Sequence, residues 1–134
     1  MADPIGSLKG MTNELATKMK TLGINDTDAL LAATAEATPR RKLALDLGIE
    51  APQLTALINR ADLCRIKGVA GVFADLLEFA GVDSVKELSH RVPANLHTKL
   101  EQVNDEQKLT GRIPRLAEVE AWIQEAQELS MQHA

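Results

Sequence analysis

Leu63 to Leu88 reads LCRIKGVAGVFADLLEFAGVDSVKEL. Leu63 and Ile66 lie three residues apart, the spacing of one helix face. Lys67-Gly68-Val69-Ala70-Gly71 follows, a stretch with two glycines and little helix propensity, and it reads as a tight turn. From Ala70 to Ala80 the apolar residues Phe73, Leu76, Leu77 and Ala80 recur at helical spacing. Gly81 ends that run. Ser84 and Glu87 then form a Ser-x-x-Glu capping box before Val85 and Leu88. The stretch is therefore helix, tight turn, helix, short connection, helix.

The same punctuation extends in both directions. Upstream, Leu8, Met11, Leu15, Met19 and Leu22 form the stripe of a first helix, with Ser7 as its cap and Gly23 as its end. Asp26 caps a second helix carrying Leu30 and Leu31. Thr38-Pro39 opens a third, which runs through Leu43 and Leu47 to Gly48. Pro52 opens a fourth with Leu54, Leu57 and Ile58, and a short helix over Arg60–Ile66 follows. Downstream, Pro93 opens a helix with Leu96, Leu100 and Val103 on one face. The polar stretch Asn104–Arg112 reads as a loop or a fraying helix end. Pro114 restarts the chain, and Leu116, Val119, Ile123, Ala126 and Leu129 face inward from a last helix. No strand alternation occurs. Leu22-Gly23-Ile24-Asn25, Leu47-Gly48-Ile49-Glu50 and Ala80-Gly81-Val82-Asp83 share one form, a helix end that passes directly into the next start.

Composition agrees with an all-α fold. The 134 residues are 45% hydrophobic and 25% charged, the mix of a globular chain with material for a core. Aromatics are 2%, namely Phe73, Phe79 and Trp122, whereas strands favour aromatic and β-branched residues. The expected architecture is a compact bundle of about eight short helices. Its segments are an N-terminal helical pair over 1–37, a core over 38–92 and a C-terminal helical pair over 93–134, all one unit. No apolar run is long enough to span a bilayer. The opening MADPIGSLKG lacks the basic-then-apolar pattern of a secretory signal, so a cytoplasmic location is expected.

Charge is unevenly placed. The net charge is −4, which argues against a general polyanion binder. Residues 38–68 are the exception, with six basic residues (Arg40, Arg41, Lys42, Arg60, Arg65, Lys67) against three acidic ones, a net +3.

The segment from Ile66 to Leu77 resembles a helix-hairpin-helix motif, apolar-x-x-Gly-apolar-Gly-x-x-x-Ala-x-x-Leu. Gly68, Val69, Ala74 and Leu77 stand at the matching places, with Ile66 one residue inside the first apolar one. The resemblance implies that Val69 plugs the space between two helices and that Ala74 lets them cross closely. It also implies that the hairpin amides of Gly68, Val69 and Ala70 face a nucleic-acid phosphate, with Arg65 and Lys67 adding charge. Ala70 departs from the motif, which has glycine there; its Cβ restricts φ and crowds an approaching phosphate. Paired motifs of this kind form a five-helix domain, as in the C-terminal domain of the RNA polymerase alpha subunit. The helices after Thr38 and Pro52 would then be a degenerate first unit. More widely, Ala61-Asp62-Leu63, Arg65-Ile66, Gly68-Val69, Leu76-Leu77, Ala80-Gly81-Val82-Asp83, Leu88, Pro93, Asn95-Leu96 and Trp122-Ile123 look like a bacterial family of domains of unknown function built on this motif.

No catalytic constellation is legible. Cys64 has Arg65 and Lys67 beside it, which could lower a thiol pKa, but no second cysteine or adjacent histidine. His90 and His97 straddle Pro93, and His133 lies at the tail, so no zinc set of three or four ligands forms. The glycines at 68 and 71 are too few for a phosphate-binding loop of the Walker type, and no strand precedes them. No enzyme activity, metal or cofactor is expected. Two readings of function stay open. One is a protein-interaction or scaffold module whose partner is another protein. The other is weak, sequence-nonspecific binding of DNA or RNA through the hairpin amides.

Overall fold

The computed structural model describes residues 3–69 and 71–131. Among them a 3-10 turn, Ile5–Ser7, precedes eight α-helices. These are α1 (Asn13–Thr21), α2 (Thr27–Ala33), α3 (Ala37–Leu47), α4 (Ala51–Leu63), α5 (Val72–Phe79), α6 (Val85–Ser89), α7 (Pro93–Gln107) and α8 (Leu116–Met131). The fold is all-α, and no strand forms among the described residues beyond one isolated bridge, Pro4 with Asp26.

Side-chain oxygens set several helix starts by accepting from main-chain N–H groups that the helix leaves orphaned. Asp26 Oδ1 accepts from Ala29 N–H at 2.8 Å to begin α2, and Ser84 Oγ accepts from Glu87 N–H at 3.1 Å to begin α6. The first helix begins later than its apolar stripe predicts. Thr12 Oγ1 accepts from Leu15 N–H at 3.1 Å, while the Ser7 hydroxyl donates to the Pro4 carbonyl. Leu8 is buried all the same, ahead of the helix. Two further starts move slightly: α3 opens at Ala37 and α4 at Ala51, one residue ahead of Thr38 and of Pro52. The separate short helix expected at Arg60–Ile66 does not exist, because α4 continues unbroken to Leu63. No glycine or proline lies between Leu54 and Gly68 to stop it. Likewise α7 runs on to Gln107, through half of the stretch read as loop.

Contacts divide the chain into two units, up to Asp62 and from Leu63 onward. The reason lies in which side chains share a core. In the first unit Leu15, Met19, Leu30, Leu43, Leu47, Leu54 and Leu57 bury together, which joins α1 and α2 to α3 and α4. An N-terminal strap closes this core. Ile5 N–H donates to Asn25 O and Thr27 N–H to Asp3 O, both at 3.0 Å. These bonds hold Ile5 at 0% exposure.

In the second unit Leu63, Ile66, Val69, Ala74, Leu76 and Leu77 share a core with Leu88, Leu96, Leu100, Val119, Trp122, Ile123 and Ala126. Helix α8 packs on α6 and α7, and α7 on α5. The turn after α7 is tied by one side chain. Asn104 Oδ1 accepts from the N–H groups of Leu109 and Thr110 at 3.0 Å, and its Nδ2 donates to Thr110 O at 2.9 Å. That net allows Lys108 its left-handed φ of 54°. No helix among the described residues is long and apolar enough to cross a membrane.

Candidate functional site

The turn between α4 and α5 is built on two main-chain bonds. Ile66 N–H donates to Leu63 O and Val69 N–H to Ile66 O, each at 3.1 Å. Gly68 takes φ +88° and Gly71 φ +53°, the latter flanking α5 without a side-chain cap bond. Ile66 and Val69 point inward at 1% exposure and meet Ala74 and Leu77 in the second unit's core. Of the expected site residues, Lys67 and Gly68 are exposed. Arg65 is half-buried and already engaged. Val69 is buried and its amide is used within the turn, which removes one of the three donors expected to face a phosphate. Ala70 lies outside the described residues.

Helix α8 reaches this turn. Lys67 N–H donates to Glu125 Oε1 at 3.0 Å, across 58 residues of sequence. A Cβ built on Gly68 would stand 3.2 Å from the Trp122 indole nitrogen. Trp122 and Glu125 are three residues apart on α8, hence neighbours on one face. The Trp122 ring also meets Phe73 of α5, centroid to centroid 5.7 Å and tilted by 52°, within the usual range for an aromatic pair. Above Phe73 lies the Arg112 guanidinium, 5.2 Å from the ring centre, a cation–π distance. Phe73 is thereby half-buried, less enclosed than Leu76 and Leu77, which are fully buried.

Arg112 Nη1 also donates to Glu118 Oε1 at 2.8 Å, and Arg115 N–H donates to the same oxygen at 2.9 Å. The hydrogen bond from Arg112 and that from the Arg115 amide hold the Glu118 carboxyl below its ordinary range. The pair raises Arg112 in turn. These contacts fix the connection between α7 and α8 beside the aromatic pair. Glu125 and Trp122 reach the turn, and Arg112 the Phe73 ring, from positions far along the chain, so nothing in the local sequence marks these contacts.

Within the basic block, Arg41, Lys42 and Lys67 are exposed. Arg60 is 4% exposed. Arg40 donates through Nε and Nη2 to Thr34 O, and Lys42 pairs with Asp46 at 3.0 Å. Cys64 is half-buried and engaged. His133 lies outside the described residues. Among the described residues, no three His, Cys, Asp or Glu side chains converge as a metal site would need. Four large apolar side chains of the second unit stand in solvent: Phe79, Val92, Leu116 and Met131.

Fold and site together define an all-α helical domain whose glycine turn is closed by a carboxylate and an indole of its own last helix. The model of the family described as Domain of unknown function (DUF4332) matches residues 9–129. The chain belongs to that family. No curated protein and no solved structure matches it.

Proposed function

We propose that this chain is a non-enzymatic protein-interaction module built on a helix-hairpin-helix, acting as a scaffold or adaptor. The observation that carries the choice is the seat of Glu125 on the Lys67 amide. A phosphate approaching the hairpin would meet a carboxylate already in place, and like charges at hydrogen-bond range repel. The Trp122 indole beside Gly68 narrows the approach further. Meanwhile Phe79 and Val92 expose 52% and 56% of their surface. Aromatic and aliphatic side chains of this kind are those that protein interfaces take up.

The alternative is weak nucleic-acid binding at the same turn, for which the exposed Lys67 side chain speaks. Fluorescence anisotropy of labelled duplex and single-stranded oligonucleotides at low salt separates the two. The expected outcome is no binding at about 50 µM protein, inside the usual range of nonspecific affinity. Binding that falls with log salt at roughly 0.9 per phosphate and disappears in Lys67→Glu would overturn the proposal. In the positive arm, crosslinked capture with the wild type is compared with capture by Phe79→Asp. Loss of the captured species in the variant is expected. Unchanged capture would move the interface elsewhere.

A further inference from the structure

The strap that closes the first unit sits as a docked peptide would. Residues 3–5 run antiparallel to residues 25–27, with Pro4 opposite Asp26. Ile5 N–H donates to Asn25 O and Thr27 N–H to Asp3 O, at 3.0 Å each. Asp3 N–H adds a bond to the Thr27 hydroxyl oxygen at 3.2 Å. These bonds belong to the residues on either side of Pro4, so the missing proline N–H costs none of them. Its φ of −56° and ψ of 143° are those of an extended chain with little freedom left to lose on docking. On the receiving side Thr27 opens α2, and its N–H is one of those a helix leaves without an internal partner.

Two side chains make the seat selective. Ile5 is 0% exposed and Leu8 5%, and both share a core with Leu15, Met19 and Leu30. Pro4, Gly6 and Ser7 remain exposed. Gly10, at φ +89°, then turns the chain toward α1.

We propose that the seat of this strap is a peptide-binding slot, with the strap as its resident competitor. The partner it fits is a protein segment that runs extended through a proline, follows it with a β-branched apolar residue, and carries leucine three positions later. Main-chain pairing with the 25–27 edge supplies affinity, and the two apolar seats supply selection. The strap is joined to α1 by a few residues and so competes at high effective concentration. A segment offered in trans binds in proportion to the fraction of molecules whose strap is out. The slot belongs to the first unit and does not depend on the Phe79 surface of the second.

The probe is the acetylated, dye-labelled hexapeptide Asp-Pro-Ile-Gly-Ser-Leu, residues 3–8. It is titrated by fluorescence anisotropy onto the full chain and onto the Ile5→Ala variant of that chain. Ile5→Ala weakens the resident strap, so the peptide is expected to bind the variant about tenfold more tightly, following the larger competent fraction. A peptide carrying Ile5→Asp should bind neither chain, because a carboxylate would enter the apolar seat. Failure to bind the variant, equal affinity for the two chains, or equal affinity of the two peptides would overturn the proposal. A strap-exchanged dimer that the peptide does not dissociate, read by light scattering, would overturn it too, since the occupant would then be a second copy. If Ile5→Ala fails to fold, amide hydrogen exchange in the wild type decides. The Ile5 and Thr27 amides should exchange at least about tenfold faster than that of Leu30, which donates to Asp26 O in α2, because the strap leaves without unfolding the helix. Matching protection would show that the strap opens only with the whole unit, and the slot would be overturned.

Discussion

Gly68 and Gly48 both hold left-handed main chain, at φ +88° and +70°, yet their surroundings differ. A Cβ at Gly48 would meet no atom within 4 Å, whereas one at Gly68 would stand 3.2 Å from the Trp122 indole nitrogen. An alanine in this region of φ costs about 1 kcal/mol for backbone strain alone. Gly48→Ala should lose about that much, as measured by urea denaturation. Gly68→Ala should lose about 2 kcal/mol or more, because a buried ring must also shift. Equal losses would show that α8 does not close tightly on the turn. At the residue scale, then, a glycine that the sequence marks as a turn former is also a contact surface for another helix. The sequence marks the first property only, since φ is local and the indole lies 54 positions away. The Lys67 amide follows the same logic, because its Glu125 partner is one of four glutamates on α8, and nothing in their spacing singles it out.

Helix α5 is the element on which both the core and the site depend. Its Leu76 and Leu77 reach 0% exposure, while Phe73 forms part of the aromatic pair. Leu77→Ala should destabilise the protein by about 2–5 kcal/mol, the range for a large buried side chain cut to alanine. A thermal melt indistinguishable from the wild type would rule out the packing of Leu77 described above. Elements of this kind are legible in sequence where periodicity and a cap agree, as at Asp26 for α2 and Ser84 for α6. The start of a helix is obscured where a cap-forming residue lies near a stripe without capping it. Ser7 precedes Leu8 and Met11, but the oxygen that begins α1 is that of Thr12. The end of α7 was hidden for another reason. Polar residues from Asn104 onward suggest a loop, yet Asn104 stays helical and uses its amide to tie the turn beyond it. A polar side chain spent on its own turn looks, in sequence, like one that faces water.

For the whole molecule, each of the two units buries its own set of apolar side chains. The strap residue Ile5 belongs to the core of residues up to Asp62, and Ile66 to that of residues from Leu63 onward. One helix-end motif recurs along the sequence, whereas the division into units follows which apolar faces meet. Truncations in different cores should therefore act independently. Ile5→Val and Ile66→Val, at 0% and 1% exposure, should each cost about 0.5–1.5 kcal/mol. Combined, their losses should add to within about 0.5 kcal/mol, as for sites without shared partners. If denaturation separates into two transitions, each variant should move its own and leave the other in place. A pair inside one core, Ile66→Val with Leu77→Ala, serves as the contrast, because those side chains share neighbours and should depart from additivity. A coupling above about 1 kcal/mol between Ile5 and Ile66 would show that the two cores respond as one. Stability would then have to be treated as a property of the full chain, and the strap at Ile5 would bear on the glycine turn as well.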